Sequence, residues 1–374
     1  MSVAGSWGTL LAAALGLTWI ALALRITGDR RRAPALPLAV AEPPATTILL
    51  PVRNEEENLA ACAATLLGQQ GKAALRIVDD GSTDRTPAIL ADLAAREPRL
   101  EALAARPLAA GWSGKVNALA TGFAGVTTPW ILLTDADTRH RPELLARAHA
   151  AAAEYRLDAI SLSGRQATAG LGESLLTPAA YALLDRMLGD WRPYARGEGP
   201  TPIANGQYFL LKTEVLRTIG GFAAIAGNAL DDVALANKLH AGGFKVGFRR
   251  AADALTVRMY KGAQATFRGW RRNFALFVAA RPAAALAAIA LPLATLAMLV
   301  AAIARRDVPA LAACWVGGAT ASAATRKSSG NNPLTGAFFP LDVLLLAATL
   351  ALALVDRARG RATPWRGRDI RILK

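Results

Sequence analysis

Cysteine is almost absent: Cys62 and Cys314 are the only two in 374 residues. They fall in different regions, so no disulfide framework is implied, and the count suits a reducing compartment. Histidine is nearly as rare. His140, His149 and His240 are scattered without metal-ligand spacing, which argues against a histidine-based metal centre and leaves all three expected at the surface. Acidic residues are outnumbered, 28 against 43 Lys and Arg, for a net charge of +15. That excess suits either nucleic acid or an anionic membrane. No nucleic-acid recognition motif is present and much of the charge borders apolar segments, so the membrane is the expected partner and nucleic acid is not. No Gly-x-Gly-x-x-Gly follows the first predicted strand, which argues against a dinucleotide-dependent dehydrogenase.

Apolar residues are the excess, at 53% of the chain, more than an ordinary soluble protein carries. Val3 to Leu24 has no charge and is followed by Arg25, Arg30, Arg31 and Arg32. Its length and C-terminal basic flank predict an uncleaved anchor, N-terminus outside, with residues 1–42 as anchor and basic linker. Pro282 to Ala304 is a second uncharged run of spanning length, and Gly336 to Val355 a third that carries Pro340 and Asp342. Val308 to Thr325, with Gly317 and Gly318, is expected to be re-entrant or interfacial. If every run in 282–355 spanned, the basic tail 356–374 would end outside, against the positive-inside rule. In 263–281, Phe267, Trp270, Phe274 and Phe277 recur at helical spacing with Arg268, Arg271 and Arg272 on other faces. The pattern predicts a helix lying in the membrane interface with its rings toward lipid.

Residues 43–262 alternate strands and helices, the pattern of a mostly parallel α/β sheet with helices around it. Trp130-Ile-Leu-Leu-Thr-Asp-Ala-Asp137 reads as a buried strand that stops at two carboxylates. In such sheets ligands gather at the carboxyl edge. While the chain stays extended, Asp135 and Asp137 point to one side about 6–7 Å apart and can flank a divalent cation with its phosphates. The first strand breaks at Pro51-Val-Arg-Asn-Glu55, and the second runs into Asp79-Asp-Gly-Ser-Thr-Asp84. Gly111-Trp-Ser-Gly-Lys-Val-Asn117 delivers Lys115 at a helix start, a setting that suits phosphate. Asp231-Asp232 opens a helix closed by Gly242-Gly243. Each motif alone has a plain structural reading as a cap or turn.

In this order, Pro51-Val-Arg-Asn-Glu, Asp79-Asp80-Gly-Ser-Thr-Asp, Gly-Lys115, Asp135-Ala-Asp137, Asn205-Gly-Gln and Asp231-Asp232-Val-Ala-Leu-Ala resemble glycosyltransferase family 2, inverting enzymes of the glycosyltransferase A fold. The resemblance covers roughly residues 45–275. Its membrane arrangement is similar to bacterial lipid-directed members associated with hopanoid and carotenoid pathways and, more distantly, to ceramide glucosyltransferases. It implies a cytoplasmic-membrane enzyme with its catalytic domain in the cytoplasm. It implies a nucleotide-sugar donor such as a UDP-sugar, a lipid acceptor, and Mg²⁺ or Mn²⁺. By position it assigns Pro51, Arg53, Glu55 and Asp79 to the nucleotide, Lys115 and Asp135 to the nucleotide sugar, Asp137 to the metal and Asp232 to the catalytic base. Asp231 is then left to serve the helix N-terminus. The Gln-x-x-Arg-Trp motif of processive synthases is degenerate here, with Gln264 and Trp270 at other spacing from Arg268, Arg271 and Arg272. A small processive synthase and a non-catalytic nucleotide-sugar-binding protein remain the alternatives.

Overall fold

The computed structural model describes residues 3–38, 42–228, 230–280, 282–359, 363–365 and 368–370. Its contacts divide the chain into two units. One is Ala33–Arg165 with Asp190–Val257; the other is Met1–Arg32, Gln166–Gly189 and Arg258–Lys374. The segment Gln166–Gly189, inside the stretch read from sequence as catalytic, thus groups with the apolar helices.

The α/β unit is built on seven strands in the spatial order Leu100–Ala104, Ala73–Asp79, Thr46–Val52, Trp130–Leu133, Phe209–Lys212, Ala159–Ser163, Val246–Arg250. Thr46–Val52 pairs in parallel with a neighbour on each side. It is buried along almost its whole length, as expected for a strand covered by helices on both faces. Chain order reverses across this strand, first outward to Ala73–Asp79 and then to Trp130–Leu133 on the other side. Such a reversal opens a crevice at the carboxyl edge. Phe209–Lys212 is antiparallel to both of its neighbours, so its amino end, with Asn205-Gly206-Gln207, arrives at that same edge.

Helix Leu59–Leu67 buries Leu59, Cys62, Ala63 and Leu66, the i, i+3, i+4, i+7 stripe of an amphipathic helix. Val116 and Leu119 of helix Gly114–Phe123 pack in one core with Phe209, Leu211 and Leu235. His140 and His149 are buried here, not at the surface as expected. Alanines let helix Leu144–Glu154 approach closely, so His149 meets Thr46 Oγ1 at 2.9 Å and the edge of Trp130. Burial lowers its pKa to about 4 and leaves it neutral at pH 7.

In the helical unit, Trp7–Arg32, Val308–Ser328 and Pro333–Ala358 are long and apolar enough to cross a membrane, and Ala290–Ala304 adds a shorter apolar stretch within helix Pro282–Ala304. The expectation that 308–325 turns back on itself is corrected: Val308–Ser328 is one continuous helix. Its glycines do not break it. They let it lie against helix Val3–Arg32 so closely that a Cβ on Gly317 would meet Gly16 Cα at 2.5 Å, and one on Gly16 would meet the Ala313 carbonyl oxygen at 2.5 Å. Small residues at helix crossings do this in membranes, where dispersion contacts replace the hydrophobic drive. Gly317→Val is therefore expected to force the helices apart at about 1–3 kcal/mol, read as a lower unfolding midpoint in detergent. Gly28→Ala in the first helix meets open space and is expected to leave the midpoint equal or higher.

The aromatic stripe also turns inward. Trp270 and Phe274 are 2% and 1% exposed. They pack with Leu176, Ala180 and Leu183 of helix Gly170–Leu188 and with Leu346 and Leu350 of helix Phe339–Ala358. Phe267 is partly buried on the same cluster, and the Phe277 side chain lies outside the described ones. Periodicity in Ala263–Ala280 identified an apolar face correctly; protein helices, not lipid, cover Trp270 and Phe274. Arg271 on another face pairs with Asp356 through two 2.6 Å hydrogen bonds.

Candidate active site

The loops that leave the first two strands are zipped together. Strand register sets Pro51 beside Val78 and Val52 beside Asp79. Asn54 is left-handed, with φ 53°, and its Oδ1 accepts from the Thr83 N–H at 2.8 Å, while its own N–H donates to Ser82 Oγ at 2.9 Å. Asp79 Oδ1 accepts from the Ser82 N–H and hydroxyl. Arg53 donates to the Asp80 carbonyl oxygen and lies 3.8 Å from its carboxylate. Glu55 is nearly buried, donates its N–H to Thr86 Oγ1 at 2.8 Å, and accepts from Asn58 Nδ2 at 2.9 Å. Pro51 and Asp79 at the strand ends, and Arg53 and Glu55 in the loop after the first strand, thus belong to one hydrogen-bonded pair of segments.

Asp135 follows the central strand, but the extended chain expected through Asp137 is not what forms. The strand ends at Leu133, and Ala136 and Asp137 make a turn. Same-side projection by strand alternation therefore does not apply to the pair. The turn rests on a buried polar shelf. Thr138 Oγ1 donates to the Asp135 carbonyl oxygen at 2.7 Å, Thr134 Oγ1 to the Gln207 carbonyl oxygen at 2.8 Å, and His140 Nε2 lies 2.8 Å from Thr138 Oγ1. Burial, and secondarily Arg139, hold His140 down to about 3, so it is neutral. Cys62 Sγ closes the shelf 3.6 Å from Thr138 Oγ1. Burial pushes its thiol up to about 12, with Asp137 and Glu55 among the nearby charges.

Lys115 is the hub. Helix Gly114–Phe123 is capped by Ser113, whose side chain accepts from the Val116 N–H, and the Ser113 N–H donates to the Ala226 carbonyl oxygen at 2.8 Å. From the first turn the Lys115 ammonium reaches Asp135 Oδ1 at 2.9 Å and Asp231 Oδ2 at 3.2 Å. Those carboxylates raise its pKa against the opposing effect of burial, so it stays charged. A cleft at this point is lined by Lys115, Leu133, Thr134, Gly206, Asp231 and Asp232, among others.

Asp232 Oδ1 accepts from the Val233 N–H at 2.8 Å. Burial first, and then the Asp231 charge, raise its pKa to about 7, with Lys115 pulling the other way. Asp231 pairs with the lysine and Asp232 accepts from the next N–H, both from the first turn of the helix. Consecutive residues on a helix diverge by about 100°, and Lys115 approaches from the Asp231 side.

Sequence alone marks Asn205-Gly-Gln as a motif but gives Gly206 no role. A Cβ there would stand 2.8 Å from both Lys115 Nζ and Asp135 Oδ2, a constraint visible only once the antiparallel strand is placed. Gly206→Ala is expected to leave the fold intact, because the clashing atoms end flexible side chains, yet to displace the Lys115 contact. A loss of about 10–100-fold in kcat/KM is anticipated, by analogy with other small misplacements. Steady-state kinetics beside a melting curve would check it.

Among the described residues, no group of three or more His, Cys, Asp or Glu is gathered so as to hold a metal unaided. One or two carboxylates are, however, the usual protein share of a Mg²⁺ otherwise coordinated by phosphate oxygens and water. Asp135 and Asp137, half-buried in one turn, fit that share.

The family model described as glycosyl transferase family 2 matches residues 47–220, which contain every assigned residue except Asp232. The undecaprenyl-phosphate 4-deoxy-4-formamido-L-arabinose transferase of Enterobacter sp. is 37% identical over 114 residues, 29% of this chain and 33% of that protein. The beta-monoglucosyldiacylglycerol synthase of Nostoc sp. is 29% identical over 202 residues, 53% of this chain and 41% of that protein. The matches thus span between a third and about two fifths of these relatives' own lengths. A mannosyltransferase from Pyrobaculum calidifontis, solved in complex with GDP-Man and Mn²⁺, has a TM-score of 0.57 at 20% identity, covering 94% of this chain and 99% of that one. At that identity the likeness carries the fold, the glycosyltransferase A arrangement of a mixed sheet flanked by helices. Residues 47–220, with their strand-end motifs, thus form a domain that matches glycosyl transferase family 2.

Proposed function

We propose that this chain is a membrane-bound inverting glycosyltransferase that moves a sugar from a nucleoside-diphosphate donor to a lipid hydroxyl. The observation that carries the reading is the carboxyl-edge cleft in which the Lys115 ammonium bridges Asp135 and Asp231 beside Asp232, a carboxyl of raised pKa. The acceptor class is supported by the relatives whose names include undecaprenyl phosphate and glucosyldiacylglycerol, together with the helices long enough to span a bilayer. We assign residues 43–262 the catalytic role, on the cytoplasmic side of a bacterial inner membrane, with 1–42 and 282–355 as anchors. The part 263–281 lies at the interface and 356–374 is a cytoplasmic tail, whose side chains beyond Arg359 lie outside the described residues.

In this reading Pro51, Arg53, Glu55 and Asp79 receive the nucleotide at the strand ends and loops that hydrogen bonds tie together. Lys115 and Asp135 orient the sugar diphosphate, and the permanent charge of Lys115 opposes the negative charge that grows on the leaving group. Mg²⁺ or Mn²⁺ held by Asp137 would add Lewis-acid neutralisation of the diphosphate. Asp232 takes the proton from the acceptor hydroxyl as its oxygen bonds to the anomeric carbon. The bond from that carbon to the diphosphate breaks on the opposite face, the nucleoside diphosphate leaves with the electron pair, and configuration inverts.

The test is incubation of the purified full chain in nanodiscs with UDP- and GDP-sugars and a bacterial lipid extract. Products would be followed by mass spectrometry and anomeric configuration by NMR. One sugar added to a lipid with inversion is expected. A growing polymer, or donor binding without turnover for any donor, would overturn the reading.

A further inference from the structure

The helical unit contains an apolar cleft of about 70 Å³, partly open to its surroundings. Leu22, Leu183 and Leu346 line its apolar part, and Arg186, Ser322, Arg326 and Asp342 its polar part.

Arg326 is the unusual member. It is 1% exposed and sits in the last turn of Val308–Ser328, a helix of spanning length. Its Nη2 donates to Asp342 Oδ1 at 2.8 Å and to the Ser174 carbonyl oxygen at 2.9 Å. That carbonyl is available because Pro178, four residues on, has no N–H to return to it. Nη1 reaches Ser322 Oγ, which donates to Asp342 Oδ2 at 2.8 Å. Arg326 Nε is buried and has no hydrogen-bond partner among the described residues. Ionisable groups inside membrane segments are costly, and where they occur they commonly mark a ligand path. With two arginines against one aspartate, the polar part carries net positive charge.

We propose that this cleft binds a membrane lipid, taking its hydrocarbon chain along the apolar part and its acidic headgroup at Arg186 and Arg326. The cleft's walls include helices long enough to span a bilayer, so lipid is the medium at hand, and its largely apolar lining disfavours a small soluble anion. The proposal rests on the membrane placement of these helices and not on the transfer reaction, and would stand if no sugar were moved.

The experiment uses the full chain in phosphatidylcholine nanodiscs containing phosphatidylglycerol with a diazirine on its acyl chain, the crosslinks being mapped by mass spectrometry. Labelling of peptides bearing Leu183 and Leu346 is expected to saturate with the phosphatidylglycerol fraction. It should exceed severalfold the labelling by phosphatidylcholine with the same diazirine chain. Leu10 and Leu17, exposed on the first helix, should label with both lipids in proportion to their amount. Ala182→Trp, which fills the cleft, should remove the first signal and spare the second, and Arg186→Gln should erase the headgroup preference. Cleft labelling that does not saturate, or is equal for the two headgroups in the unaltered protein, would overturn the proposal. Those measurements need no variant, so a poorly folding Ala182→Trp leaves the test intact.

Discussion

Asp232→Asn is expected to lower the turnover rate by about 10²–10⁴-fold, the usual worth of a general base, while donor affinity stays nearly unchanged. Asparagine keeps the size and can still accept from the Val233 N–H that Asp232 Oδ1 now holds, so the helix start should survive and only proton capture is lost. The pH profile adds a second readout. A base must be charged to work, and Asp232 is raised to about 7. The unaltered enzyme should therefore lose activity as pH falls through that value and reach its plateau above it. Asp231→Asn removes a negative neighbour that raises Asp232. It should shift the acid limb to lower pH and cost far less in rate than Asp232→Asn, its effect coming through the released Lys115 contact. Equal losses from the two substitutions, or an unmoved limb in Asp231→Asn, would transfer the role of base to Asp231 or to the acceptor side.

Asp137→Ala is expected to reduce transfer by about 10³-fold or more, since neutralising a departing diphosphate is worth several kcal/mol. The melting curve should change little, because Asp137 sits in the turn after the strand, outside the packed core. Two measurements check it: transfer rates titrated with Mg²⁺, Mn²⁺ and EDTA, and calorimetric binding of Mn²⁺ in the presence of nucleoside diphosphate, expected only for the unaltered chain. An Asp137→Ala protein as active as its parent with EDTA present would remove the metal from the reaction.

Both experiments turn on Asp232 and Asp137, whose roles the family resemblance implies, whereas the gathering of the strand-end residues around them has a geometric reason. In a mostly parallel sheet the carboxyl ends of the parallel strands lie on one edge. Recognising where Thr46–Val52, Ala73–Asp79 and Trp130–Leu133 stop was therefore enough to gather Arg53, Asp79 and Asp135 at a common crevice. Trp7–Arg32 and Pro333–Ala358, two of the helices able to span a membrane, were equally readable, because a long apolar run needs no partner to declare itself, whereas the glycine-bearing Val308–Ser328 was not. Tertiary structure alone decided the contacts that depend on what faces a residue. Periodicity marked Trp270 and Phe274 as apolar-facing, yet only packing shows that helices Gly170–Leu188 and Phe339–Ala358 cover them. Gly317 is only one glycine of an apolar run in sequence, whereas packing shows Gly16 pressed against it. Asp231 and Asp232 are alike in sequence, and it is the approach of Lys115 from another helix that separates them. Gly206 lacks a side chain because an ammonium and a carboxylate, brought there by two other segments, occupy the space where its Cβ would be. Local pattern sets each residue's direction relative to its own backbone, whereas its neighbour is set by long-range packing that no window of sequence contains.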